Sequence, residues 1–214
     1  MNNRTAIIDY GVGNLFSIKS SLRAIGAQAI VTADPDLIAD SERMILPGVG
    51  AFADAAQKLR DAGLDKVICR EASDGKPLLG ICLGMQLLLE KSYEYGKHPG
   101  LGLIHGAVKP IRGVIPPELK IPHIGWNELH FPVDKPRSRI FRSIQENDFV
   151  YFVHSYYAAD CENAVIATTE YGAQLTAAVQ NRNVYGVQFH PEKSGEIGLS
   201  ILREFVSLTK EDAI

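Results

Sequence analysis

The sequence predicts an α/β fold: a mixed, mostly parallel twisted sheet flanked by helices, with extra antiparallel strands in the second half. Three observations carry this reading. In the first half, short apolar runs alternate with segments of helical spacing, the pattern of strands joined by crossover helices. From Leu103 onward that alternation gives way to a series of strand-like stretches separated by turn-rich links. The chain then closes on an amphipathic helix at 197–208, with Ile197, Ile201, Phe205 and Leu208 on one stripe.

Taken in order, residues 5–10 (TAIIDY) read as a buried first strand, followed by a glycine-rich turn at 11–14 and a helix at 15–25 with Leu15, Ile18, Leu22 and Ile25 aligned. The G-x-G of that turn invites a dinucleotide site. Phe16 holds the place of the third glycine, and no acidic residue closes a following strand at the usual distance, so the nucleotide reading is set aside. A turn whose backbone and Asn14 face a partner fits better. Residues 27–32 form a second strand, Asp34-Pro35 opens a short helix to Ala39, and 43–46 form a third strand. Pro47-Gly48-Val49-Gly50 ends it, and a helix runs from about Phe52 to Arg60. Glycines at 48 and 50 let backbone N–H groups face a ligand, or make an ordinary left-handed turn; both readings stay open here. Residues 77–81 are a strand buried on both faces, 85–90 a helix, and 91–100 a polar surface loop carrying Glu94. Strands follow at 104–111, 123–131, 149–157, 164–169, 174–180 and 184–190.

Composition narrows the function classes. At 214 residues, with 46% hydrophobic and 22% charged side chains, the chain is expected to be one soluble globular domain spanning 1–214. A net charge of −3 gives no electrostatic footprint for nucleic acid or an anionic membrane. Three scattered cysteines argue against a disulfide framework and for a reducing, cytoplasmic setting. The amino terminus has too short an apolar run for a signal sequence, and the apolar stretch at 77–89 is broken by two glycines and too short for a membrane span. No H-x-x-x-H or C-x-x-C pairing sets up a metal site, and no cofactor is expected.

The chemistry centres on Cys82. It lies between the strand at 77–81 and the following helix, flanked by Gly80 and Gly84. A strand that turns directly into a helix leaves the turn residue strained and exposed at the strand's carboxyl end, and small neighbours permit the bend. The helix amino terminus offers unpaired N–H groups and partial positive charge, which favour a thiolate. A lone cysteine is more often a small packing residue; the two glycines favour the nucleophile.

A thiolate nucleophile needs a proton carrier and a group to orient that carrier. Val187-Gln188-Phe189-His190-Pro191-Glu192 ends the last strand. His190 and Glu192 share a face of an extended chain, and Pro191 stiffens the segment. The alternative is a turn into the last helix with Glu192 near its dipole. In an open α/β sheet, strand carboxyl ends gather at one edge, which joins Cys82 to His190 and makes a Cys/His/Glu triad the expected constellation. The backbone N–H of Leu83 and the Val49-Gly50 peptide are the expected oxyanion donors, and a flip of that peptide would assemble the hole on demand.

The elbow GICLGMQ together with VQFHPEKSG resembles the class I (triad) glutamine amidotransferases, a flavodoxin-like α/β family. DYGVGNLFS at 9–17, LPGVGAF at 46–52, HIGWNELH at 123–130 and YFVHSYY at 151–157 narrow the likeness to the glutaminase subunits of imidazole glycerol phosphate synthases. The resemblance implies hydrolysis of glutamine through a Cys82 thioester, with His190 moving protons and Glu192 orienting it. It also implies that Gln86, Glu94 and the Ser155-Tyr156 backbone hold the amino-acid end of glutamine, with Gly48 beside them. A (β/α)8-barrel cyclase subunit of the histidine pathway is the implied partner, receiving ammonia through an internal channel. Because the chain ends soon after its last helix, a heterodimer rather than a fused barrel is expected. Asn14, Trp126, Tyr151 and Lys193 are placed at that interface, with Lys193 positioned for an ion pair across it and Trp126 alternatively a core ring. The competing readings are an amidotransferase subunit for anthranilate or aminodeoxychorismate synthesis, a thiol hydrolase or peptidase, and a non-catalytic amidotransferase-like binding partner.

Overall fold

The computed structural model describes residues 3–213. The first half alternates as the sequence predicts. Strand β1 (Arg4–Ile8), helix α1 (Leu15–Ala24), β2 (Gln28–Thr32), α2 (Pro35–Ala39), β3 (Arg43–Leu46), α3 (Phe52–Asp61), α4 (Leu64–Ser73), β4 (Leu78–Ile81) and α5 (Leu83–Leu88) follow one another. Then come β5 (Leu89–Ser92), β6 (His98–Pro99), β7 (Ile104–Pro110), β8 (His123–Glu128), β9 (Phe149–His154), β10 (Tyr156–Ala159), β11 (Val165–Glu170), β12 (Gln174–Asn181), β13 (Val184–Val187) and α6 (Gly195–Val206).

The main sheet has seven strands in the order β11-β12-β13-β4-β3-β1-β2. Strands β2, β1, β3, β4 and β13 are mutually parallel, and β12 and β11 add an antiparallel margin. Period-2 alternation sends apolar side chains to both faces. Ala6, Ile8, Met44, Leu46 and Leu78 pack on the side of α2 to α5, while Ile7, Ile45, Leu79 and Ile81 pack on the side of α1 and α6. That double burial is why the central strands read as unbroken apolar runs. Asp34 caps α2 by accepting from the N–H groups of Asp36 (2.8 Å) and Leu37 (3.4 Å), with Pro35 in the first turn.

Four expectations change. The helix after Cys82 ends at Leu88, not Glu90, because Leu89 turns extended and enters β5. The stretch at 91–100 is accordingly part strand, pairing with β6 and β7. The strand expected at 149–157 is two, broken at Ser155, where the chain leaves the β8-β9 ribbon for the sheet β10-β7-β5-β6. Strands β5 to β10 therefore build two smaller sheets instead of extending the main one. Helix α4 escapes the sequence reading, although Leu64, Val67, Ile68 and Ala72 mark its buried stripe.

Candidate active site

Strands β3, β4 and β13 are adjacent and parallel, so their carboxyl ends deliver the 47–50 turn, Cys82 and His190 to one edge of the sheet. Cys82 stands at φ 55°, ψ −111°, a left-handed backbone for a side chain that disfavours it, and it caps α5. Its N–H donates to Val187 O (2.8 Å), and its carbonyl accepts from Gln86 N (3.2 Å), which pins both sides of the bend. The flanking glycines serve the close packing around it. A Cβ on Gly80 would meet the Gly84 carbonyl at 2.7 Å, and one on Gly84 would run into the Leu46 carbonyl oxygen. A Cβ on Gly48 would lie 2.7 Å from Gly84 N. The 47–50 turn and the elbow are thus pressed backbone to backbone.

His190 Nδ1 contacts Glu192 Oε1 at 2.8 Å, and Cys82 is near enough for its side chain to act on the charge of the His190 ring. Both His190 and the Glu192 side chain are buried. Burial works to lower the His190 pKa, but the hydrogen bonds and negative charge of Cys82 and Glu192 outweigh it and raise the value to about 9. The imidazole is therefore held as a cation at neutral pH. Glu192 Oε2 is buried with no hydrogen-bond partner among the described residues.

These groups open on a pocket of about 740 Å³. Val49, Gly50 and Leu83, the residues of the sequence-derived oxyanion donors, line it beside Cys82 and His190. Gly50 takes φ +93°, and a Cβ there would meet nothing within 4 Å; its constraint is conformational. The N–H groups of Val49 and Gly50 donate to no protein acceptor among the described residues. The turn is held from both sides: Tyr10 donates its buried hydroxyl to Pro47 O (2.7 Å), and Glu94 Oε2 accepts from Phe52 N (2.5 Å).

Gln86, Glu94, Ser155 and Tyr156 also line the pocket. Gln86 Nε2 donates to Tyr156 O (3.1 Å) and Gln188 Oε1 (3.0 Å). Its side-chain oxygen, Oε1, accepts no hydrogen bond among the described residues. Ser155, in the gap between two strands, likewise has an N–H that donates to no protein acceptor. Gly48 is a correction: it does not line the pocket, and its place is in the packing against the elbow.

Two further polar residues at the site lie outside the sequence-derived set. Gln188, fully buried, directs its Nε2 to Cys82 Sγ at 3.7 Å. Its signal is its position two residues before His190, although β13 ends at Val187 and both residues lie just beyond it. His154 also lines the pocket, contacts Tyr156 O through Nδ1 (2.8 Å), and meets His123 Nδ1 through Nε2 (3.0 Å). Desolvation lowers the His154 pKa to about 4, the bond to Tyr156 opposing it.

Asn14, Trp126, Tyr151 and Lys193 lie outside the pocket. Trp126 is 52% exposed, which excludes the core-ring alternative; it faces Tyr151 across β8-β9 with ring centroids 6.1 Å apart. Lys193 Nζ lies 5.7 Å from the Tyr151 ring centroid. Asn14 accepts from Ser17 N (3.4 Å), capping α1.

The model of the family "Glutamine amidotransferase class-I" matches residues 6–208. Among curated proteins, the chain is 49% identical over 205 residues to the imidazole glycerol phosphate synthase subunit HisH of Methanothermobacter thermautotrophicus, covering 96% of this chain and 98% of that one. It is 47% identical over 204 residues to the HisH subunit of Aquifex aeolicus, covering 94% and 95%. Solved structures share the fold at lower identity. A glutamine amidotransferase crystal structure matches at TM-score 0.72 and 18% identity over 94% of this chain and 97% of that one. PurLQS from Thermotoga maritima matches at TM-score 0.70 and 22% identity over 97% and 99%. With its Cys/His/Glu constellation on a sheet of this topology, and with matches spanning almost its whole length, the chain belongs to the class I glutamine amidotransferase family.

Proposed function

We propose that the chain is the glutaminase subunit of an imidazole glycerol phosphate synthase, with Cys82, His190 and Glu192 as its triad. The observation that carries the mechanism is that His190, paired with Glu192 at 2.8 Å, lines the same substrate-sized pocket as Cys82. The Cys82 thiolate attacks the side-chain amide carbon of glutamine, and the carbonyl electron pair moves onto oxygen. Leu83 N–H supplies one oxyanion donor, and the Val49-Gly50 peptide supplies the second when it turns toward the site. The His190 imidazolium gives its proton to the amide nitrogen, the C–N bond breaks, and ammonia leaves a Cys82 thioester. Neutral His190 then takes a proton from water as the oxygen attacks that thioester, and glutamate departs as the thiolate re-forms. Glu192 holds the ring orientation and steadies the imidazolium throughout.

Gln86, Glu94 and the Ser155-Tyr156 backbone take the amino-acid end of glutamine: the Glu94 carboxylate suits the ammonium, and the unused Ser155 N–H suits the carboxylate. The partner is a cytoplasmic (β/α)8-barrel cyclase subunit that accepts ammonia through a channel. Asn14, Trp126, Tyr151 and Lys193 form the docking face, where exposed Ile124 and Phe149 extend the apolar surface around Trp126. A resting turn whose donor peptide is free to flip fits slow hydrolysis until the partner is loaded.

The test is glutamate release measured with and without the barrel subunit and its nucleotide ligand, alongside Cys82→Ala. Weak hydrolysis alone, strong stimulation in the complex and none in the variant are expected. Full turnover without the partner would remove the on-demand oxyanion hole, and an active Cys82→Ala would remove the triad.

A further inference from the structure

The pocket holds two oppositely charged side chains besides its histidines, Glu94 and Arg112. Glu94 belongs to the expected substrate set; Arg112 does not. Arg112 lies two residues beyond the end of β7, and the residue between, Ile111, donates its N–H to Ser155 O at 3.0 Å. This bond ties the backbone leading into Arg112 to the Ser155 segment, where an unused N–H already awaits an acceptor. Among the described residues the Arg112 guanidinium makes no ion pair and donates no hydrogen bond, unlike Arg4, Arg70, Arg139, Arg142 and Arg203. Its five N–H donors are thus uncommitted at the rim of a cavity that also contains a carboxylate.

A free α-amino acid carries an ammonium and a carboxylate on one carbon, so a site that recognises it needs one charge of each sign. Glu94 answers the ammonium. A backbone N–H alone gives a carboxylate one bond and no net charge, whereas a guanidinium offers a planar, permanently charged fork that matches both oxygens. Resting on the glutaminase reading above, we infer that Arg112 binds the α-carboxylate of glutamine and makes the enzyme selective for a free amino-acid end over amides that lack it. Arg112 is a specificity residue at the far end of the substrate from the scissile bond, so it acts on binding more than on the chemical step.

The experiment compares glutamine with 4-aminobutanamide, which is glutamine without its α-carboxylate, in the complex with the barrel subunit and its ligand. The second compound is followed as a substrate or, where turnover is too slow, as a competitor of glutamine. Arg112→Ala should raise KM for glutamine by about 10–100-fold, the range of one lost charge-assisted contact, with kcat nearly unchanged. Its handling of 4-aminobutanamide should match that of the unaltered enzyme, and Arg112→Lys should recover part of the glutamine affinity. Equal losses for both compounds, or no change for either, would overturn the assignment while leaving glutaminase activity intact. Failure of the unaltered complex to hydrolyse glutamine would instead overturn the function on which the inference rests.

Discussion

The backbone N–H of His190 donates to the carbonyl of Tyr151 at 2.9 Å, and Ser194 closes the connection by accepting from Tyr151 N (3.0 Å) and donating to His190 O (2.7 Å). His190, the proposed proton carrier, is therefore tied directly to β9, the strand of Tyr151, which pairs with Trp126 on β8. A partner seated on that ribbon touches a segment that shares its hydrogen bonds with the active-site loop. Trp126→Ala should weaken association with the barrel subunit by about 2 kcal/mol or more, the scale of a buried aromatic anchor, with little loss of stability in the free chain. Titration calorimetry with the isolated subunits checks the first half and thermal melting the second.

The His190 pKa of about 9 fixes an alkaline limb. In the proposed mechanism the leaving ammonia takes its proton from the imidazolium, so kcat/KM should fall as pH rises through about 9. Glu192→Gln removes one of the charges that hold the proton. It should shift this limb toward lower pH and reduce kcat by roughly 10²–10⁴-fold, the scale of a misoriented acid–base group. A pH–rate profile of the two enzymes in complex with the partner decides it; an unmoved limb would show that Glu192 does not govern His190.

How legible all this is in the sequence depends on range. Cys82 can be read because two glycines and a change of periodicity mark its bend locally, and the packing of Gly80 and Gly84 against backbone gives the physical reason. His190 and Glu192 lie two apart just beyond β13, where a 3-10 turn over Pro191–Lys193 opens on His190, which again is local. Gln188 and His154 are different. Each looks like one more residue in a strand, and its meaning appears when β13 is set beside β4, or when β9 breaks at Ser155 and returns past the pocket. The break itself is hard to see, because YFVHSYY is β-forming throughout and its sheet change is imposed by pairing with β7. Arg112 is harder still: its sequence neighbourhood is a turn, and the pocket alone brings it near Glu94.

Acid should weaken the fold through His154. Its folded pKa, about 4, lies below the unfolded value near 6.5, so between these limits the unfolded chain binds more protons. Its contribution is complete above about pH 6.5 and is lost as pH falls toward 4. The unaltered chain should lose on the order of 2 kcal/mol over that interval from this group, and His154→Asn should flatten the slope. Urea unfolding at pH 5 and pH 7 measures both. His190 has the opposite sign: its pKa is raised on folding, so its contribution is present below about 6.5 and lost as pH climbs through 9.

Tyr10 offers a last test of how the oxyanion turn is held. Its hydroxyl is buried, and its bond to Pro47 O anchors the residue that opens the 47–50 turn. Burial, with the negative charge of Cys82 behind it, raises the Tyr10 pKa far above the usual phenolic value, so the hydroxyl stays protonated and able to donate at neutral pH. Tyr10→Phe keeps the ring and its packing but strips the Pro47 carbonyl of this partner. The expected cost is about 1–3 kcal/mol of stability, the penalty for a buried acceptor left unpaired. Because Gly48 packs on Gly84 and Gly50 borders Cys82, loss of the anchor should also lower partner-stimulated turnover more than glutamine affinity. Denaturant unfolding gives the first quantity and the kcat against KM split of the complex the second. A variant with full stability and full kcat would show that the turn is held by the glycine packing and the Glu94 bond to Phe52 N without help from Tyr10.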